Sequence, residues 1–79
     1  MKLTYDPRYN IAYIRFAEKR SDVEAIQVSD DLVVDISPDG TVYGIELLNA
    51  NAQLKGDNGD NSLFINEVTG ERVELPLAV

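Results

Sequence analysis

Glu46 is the acid set inside the apolar run Val42-Tyr43-Gly44-Ile45-Glu46-Leu47-Leu48. A carboxyl placed there can have its pKa raised by burial, or can anchor a ligand. Strand alternation puts it on the face opposite Tyr43 and Ile45, so a plain structural role at a strand surface accounts for it better. Gly44 would then permit a bulge or a close backbone approach. Asp30, Asp31, Asp35 and Asp39 crowd one stretch. A hard cation such as Mg²⁺ or Ca²⁺ needs several oxygens converging on one point. Asp35 falls mid-strand, while Asp30 and Asp39 fall near opposite strand ends, and Asp before Gly40 is a turn residue by preference. Asp35 and Glu46 are what remains as metal-ligand or carboxylate-pair candidates, and no metal is assigned. Asp57-Asn58-Gly59-Asp60-Asn61 resembles a calcium loop, but counting from Asp57 puts Gly59 at the third position and Val68 at the twelfth, where the EF-hand needs an acid and a glutamate.

Cysteine and histidine are both absent from the 79 residues. Their absence nearly excludes nucleophilic catalysis of the Cys–His or Ser–His kind. Ser21 and Ser37 have no base nearby in sequence, and there is no glycine-rich phosphate loop. The sequence therefore assigns no catalytic residue and no cofactor. The tyrosines are Tyr5, Tyr9, Tyr13 and Tyr43. Rings with a polar tip suit interfaces as well as thin cores. Tyr13, Tyr43, Glu46, Leu75 and Leu77 are the interaction candidates.

The elements that must position these residues are short. Leu3 and Tyr5 alternate with Lys2, Thr4 and Asp6, a strand pattern. Asp6-Pro7-Arg8-Tyr9-Asn10 is a turn, and Ile11 to Phe16 is rich in β-branched and aromatic residues. Val23–Val28 alternates, Ser29-Asp30-Asp31 breaks it, and Leu32, Val34 and Ile36 alternate again. Ser37-Pro38-Asp39-Gly40 is the clearest turn: Pro presets φ and Gly accepts a positive φ. Val42–Leu48 pairs back across it. Asn49 is a suitable N-cap for a short helix over residues 49–55. The stretch 55–62 is turn formers and reads as a flexible linker. Leu63–Val68 and Arg72–Leu77 make a last hairpin, with Pro76 at an edge.

The expected fold is mainly β: an antiparallel meander of about six short strands in three hairpins, forming a half-barrel or two small packed sheets, with that one helix. The expected core is Leu3, Tyr5, Ile14, Phe16, Ile26, Val28, Leu32, Val34, Ile36, Tyr43, Ile45, Leu47 and Leu54. The chain reads as one domain, 1–79, with a core over 1–54 and a C-terminal hairpin over 63–79.

Several of these segments together resemble a known family. Lys2-Leu3-Thr4-Tyr5-Asp6, Ile11-Ala12-Tyr13-Ile14-Arg15, Val33-Val34-Asp35 and Asp39-Gly40-Thr41-Val42-Tyr43-Gly44-Ile45-Glu46-Leu47-Leu48-Asn49-Ala50 are similar to the short microbial proteins grouped as domain of unknown function 2283. The resemblance covers about residues 1–54, and Gly44-Ile45-Glu46 after Asp39-Gly40 is its most specific part. It implies no activity, because the family has none established; residues 55–79 lie outside the pattern.

Composition narrows the function classes. Fourteen acids against seven bases give a net charge of −7. Phosphate-backbone binding needs clustered Lys and Arg, and Lys19-Arg20 is the only basic doublet, so nucleic acid is not expected. No apolar run approaches the ~20 residues that span a bilayer, and the first residues lack the apolar stretch of a signal peptide. A cytoplasmic protein is expected. A domain this short buries only roughly 60% of its unfolded surface, and no disulfide can staple it. The sequence therefore reads as a protein-interaction or self-assembly module rather than an enzyme, with a homo-oligomer, a dimer in the simplest case, as the expected state. An antitoxin-like or regulatory binder of a small basic protein is the alternative, and a carboxylate- or metal-dependent hydrolase using Asp35 and Glu46 is a further one.

Overall fold

A computed structural model describes every residue except 19, 57, 58 and 60. The Asp57–Asn61 loop pattern, the 55–62 linker and the Lys19-Arg20 doublet therefore fall partly outside the described residues. The element order is β1 (Lys2–Asp6), β2 (Ile11–Arg15), β3 (Glu24–Ser29), β4 (Leu32–Ile36), β5 (Val42–Leu48), α1 (Ala50–Lys55), β6 (Asn61–Ile65) and β7 (Arg72–Pro76). The protein is all-β with one short helix, as its alternating segments predict. There are seven described strands where about six were expected, and each falls on one of the alternating segments read from the sequence.

The strands form two antiparallel sheets, β1-β2-β5-β4-β3 and β6-β7, with no closed barrel. The three expected hairpins are present, and β3 adds a fourth across Asp30-Asp31. The larger sheet departs from a plain meander. β2 is followed in space by β5, so β3 lies on the far edge. The N-terminal hairpin and the β3–β5 meander are joined by the β2–β5 ladder, from Ile11↔Leu48 to Arg15↔Gly44, a long-range pairing that local patterning does not reveal.

Register fixes the faces. Leu3, Ile14, Ile45, Val34 and Ile26 are direct cross-strand partners in turn, so one apolar row crosses all five strands. The next row on the same face is Tyr5, Ala12, Leu47 and Leu32. The opposite face carries Lys2, Arg15, Gly44, Asp35 and Ala25 in one row, and Thr4, Tyr13, Glu46, Val33 and Gln27 in another. This is the alternation of a sheet made to be covered on one side.

It is not covered. Among the described residues the buried apolar side chains are Ala12, Tyr43 and Ala50, and no large side chain is fully buried. Most of the expected core is in place on the apolar face yet reached by water. Leu3, Phe16, Ile26 and Val28 are exposed, Ile26 to 48% and Val28 to 61%. The correction has a simple cause: the sequence marks which face is apolar, but a core also needs a second layer, and among the described residues the one element outside the larger sheet that packs on it to any extent is the short helix α1, against β2, where Ala12 is fully buried. The shape agrees. The radius of gyration is 14.0 Å, against about 12 Å for a compact domain of this length. The principal extents are 36 × 34 × 19 Å, a plate.

Turn chemistry accounts for the strand ends. The Gly40 amide donates to the Ser37 carbonyl at 2.9 Å, and the Ser37 amide to the Thr41 carbonyl at 3.0 Å. Gly40 has φ 89°, a conformation cheap only for glycine. Among the described residues no helix is long and apolar enough to cross a membrane.

Candidate functional site

The polar face of the sheet brings together the residues of most chemical interest. Tyr13 on β2 faces Glu46 on β5, and Asp35 on β4 faces Gly44 on β5. The Tyr13 hydroxyl reaches across β5 and donates to Asp35 Oδ2. The ring can do so because position 44 has no side chain. A Cβ there would stand 2.2 Å from Tyr13 Oη and 2.5 Å from Cζ. Gly44 is thus the gap through which two non-adjacent strands are tied, the close approach that its place inside a strand suggested. Asp35 is only 5% exposed, and no buried side-chain polar atom among the described residues lacks a hydrogen-bond partner.

Asp35 and Glu46, the candidate carboxylate pair, share this face on adjacent strands but are offset by two positions, since Glu46 pairs with Val33. One Asp35 oxygen is engaged by Tyr13. Among the described residues no three Asp or Glu side chains converge in a way that could hold a cation. Asp39 is separate, in the β4–β5 turn. It accepts from the Ser37 hydroxyl and, at 3.0 Å, from the Thr41 amide. These donors, the Ser37 hydroxyl first, hold its carboxyl at about 2, well below the ordinary value of 3.8. Asp6 is also lowered, first by the Arg8 guanidinium that donates to it and then by the Arg8 amide.

The interaction candidates scatter. Tyr13 and Glu46 lie on the polar face. Tyr43 sits where the β4–β5 register slips by one residue. It is 8% exposed, with the Arg20 guanidinium 5.3 Å from its ring centroid. Its carbonyl accepts from the amides of Phe16 and Ala17. Leu75 lies on the outward face of the β6–β7 hairpin beside Val73, and Leu77 lines a shallow groove between that hairpin and α1 with Leu54 and Leu63.

A cluster that the sequence reading missed joins the turn before β2 to the start of α1. Asn49 does not cap α1 with its own side chain. It sits in the left-handed region at φ 51°, away from the extended backbone a capping side chain needs. Asn10, also left-handed at φ 56°, caps from outside: its Oδ1 accepts from the Asn51 amide at 2.9 Å and from the Tyr5 hydroxyl at 3.1 Å. Its carbonyl accepts from the Ala50 amide at 3.0 Å, and its Nδ2 donates to Asn51 Oδ1 at 2.8 Å. An asparagine closing a turn is the one available signal, and it could not have named a partner 41 residues away.

The dominant surface feature is therefore the apolar face, not a pocket or a polar cluster. In comparison with known proteins, the family model described as "Protein of unknown function (DUF2283)" matches residues 2–51. No curated protein and no solved structure matches the chain significantly.

Proposed function

We propose, for a chain that belongs to the DUF2283 family, that it works as a self-associating β module whose apolar sheet face closes on a second copy. The observation that carries this reading is the uncovered row from Leu3 to Ile26. Area supports it. A folded monomer of 8.8 kDa exposes about 4,800 Å², whereas this chain exposes 5779 Å². The excess, roughly 1,000 Å², matches the ~800 Å² that each partner gives to a standard stable interface.

Charge leaves the apolar face as the place where a second copy can approach. In a chain of net charge −7, two copies repel unless they meet through a surface without acids. The paired apolar rows contain none; Glu24 stands at their margin opposite Ile36. Two such sheets stack about 10 Å apart with their side chains interleaved, as in a β-sandwich. Light scattering on the Ile26→Glu variant tests this. Ile26 is on an edge strand and half exposed, so the protomer tolerates the change, while a dimer would bury an unpaired charge. The unmodified chain is expected at the mass of two copies and the variant at one. Equal masses for both would sink the reading.

The net charge also favours a second reading, a complex with a small basic protein steered by the acids that lie off the apolar face. Such a complex would dissociate in a salt wash, whereas burial of the apolar face would not.

A further inference from the structure

We infer that the β6–β7 hairpin of each copy is part of the cover for its partner's sheet, so that the dimer is held by reciprocal hairpin-on-sheet contacts; this rests on the dimer reading above. The hairpin presents two faces. Leu63 turns inward and lines the groove against α1 with Leu54 and Leu77. Phe64 and Val73 are direct partners on the other face, and Leu75, opposite Ser62, continues it. Phe64, Val73 and Leu75 are 66%, 55% and 56% exposed. An isolated two-stranded ribbon is marginal in water and needs a surface to lie on. Among the described residues the hairpin makes no extended contact with any strand of its own larger sheet, and Phe64, Val73 and Leu75 on its outward face stay open to water.

Two apolar surfaces that the described residues leave open match each other. One is a two-strand apolar ribbon. The other is a five-strand apolar sheet, most open at its β3 edge around Ile26 and Val28. A face-to-face pairing of the large sheets alone would leave Phe64, Val73 and Leu75 in water. Seating each hairpin on the β3–β4 part of its partner covers both. The three hairpin side chains offer roughly 300 Å² of apolar surface, judged from the 150–250 Å² that a fully buried aromatic contributes. Two reciprocal contacts, counted on both sides, remove roughly 1,200 Å², within the range of specific interfaces. The arrangement is isologous and closes at two copies rather than growing into a filament.

The experiment mixes ¹³C-labelled with unlabelled full-length protein, allows subunits to exchange, and records half-filtered NOE spectra. Native mass is measured on the same sample and on the double variant Phe64→Ser, Leu75→Ser. The inference expects intermolecular cross-peaks from the Phe64 ring to methyls of Ile26, Val28 or Val34, and at least a tenfold weaker dimer in the double variant. A two-copy mass with cross-peaks confined to large-sheet residues, or a double variant that dimerises as tightly as the unmodified chain, overturns the hairpin contact and leaves the dimer standing. A one-copy mass removes both.

Discussion

At the residue scale the strongest constraint is the triangle of Tyr13, Gly44 and Asp35. Gly44→Ala would place a Cβ 2.2 Å from Tyr13 Oη and 3.0 Å from the Ile14 carbonyl. The ring must move, and the bond to buried Asp35 goes with it. Disturbing a hydrogen bond to a buried polar group costs about 1–3 kcal/mol. Urea unfolding should show that loss for Gly44→Ala and a similar one for Tyr13→Phe. Because both act on one bond, the double variant should lose less than the sum; strict additivity would contradict the coupling. Asp39 gives a pH prediction. Its pKa is lowered by folding, to about 2 from 3.8. Its support for the β4–β5 turn is therefore fully present above the unfolded value and fades as pH falls from about 4 through 2. Asp39→Asn should flatten that part of the stability profile, measured by thermal unfolding against pH; an unchanged acid limb would show that other carboxylates set it. Only part of this was legible. Asp39 before Gly40 announced a turn, and Gly44 inside a strand announced a close approach. That Tyr13 fills the gap depends on the β2–β5 ladder, which no local pattern encodes.

At the scale of elements the hairpins were readable and the connections between them were not. Alternation over Leu32–Ile36 and Val42–Leu48, with Ser-Pro-Asp-Gly between, specifies the turn and the pairing of the two strands, though not the one-residue slip of register at Tyr43. The helix was readable as a short segment, but not what holds it. A six-residue helix has too few internal bonds to persist alone. Its first free amides are met by Asn10 from the β1–β2 turn, and Gln53 Nε2 ties it to the Asp31 carbonyl at 3.2 Å. Two variants separate the roles of Asn10. Asn10→Gly keeps the left-handed backbone and loses the cap, for which a cost of about 0.5–2 kcal/mol is expected. Asn10→Ala loses the cap and also strains the backbone, adding about 1–2 kcal/mol. Hydrogen exchange at the Asn51 amide should speed in both. Equal stability of the two variants would contradict the assignment of strain to this position.

At the scale of the whole molecule the sequence indicated an apolar surface and a core too thin for its length, but could not show that the two are the same fact. Most of the residues expected in the core line one face of the five-stranded sheet and are reached by water, although Tyr43 is buried. This is why assembly rather than a pocket is proposed for this chain. If association completes the core, unfolding should also depend on concentration, because anything that binds only the folded state stabilises it by mass action. A tenfold increase in protein should raise the thermal midpoint measurably, and the Ile26→Glu variant should lose that dependence.

The central claim, that two copies close on the apolar face, is tested most directly by sedimentation equilibrium of the unmodified full-length protein from low to high micromolar concentration. The account predicts a mass of twice 8.8 kDa at the upper end, with a single reversible step toward one copy on dilution. A mass of one copy throughout, with the β-sheet signal in circular dichroism intact, would contradict it.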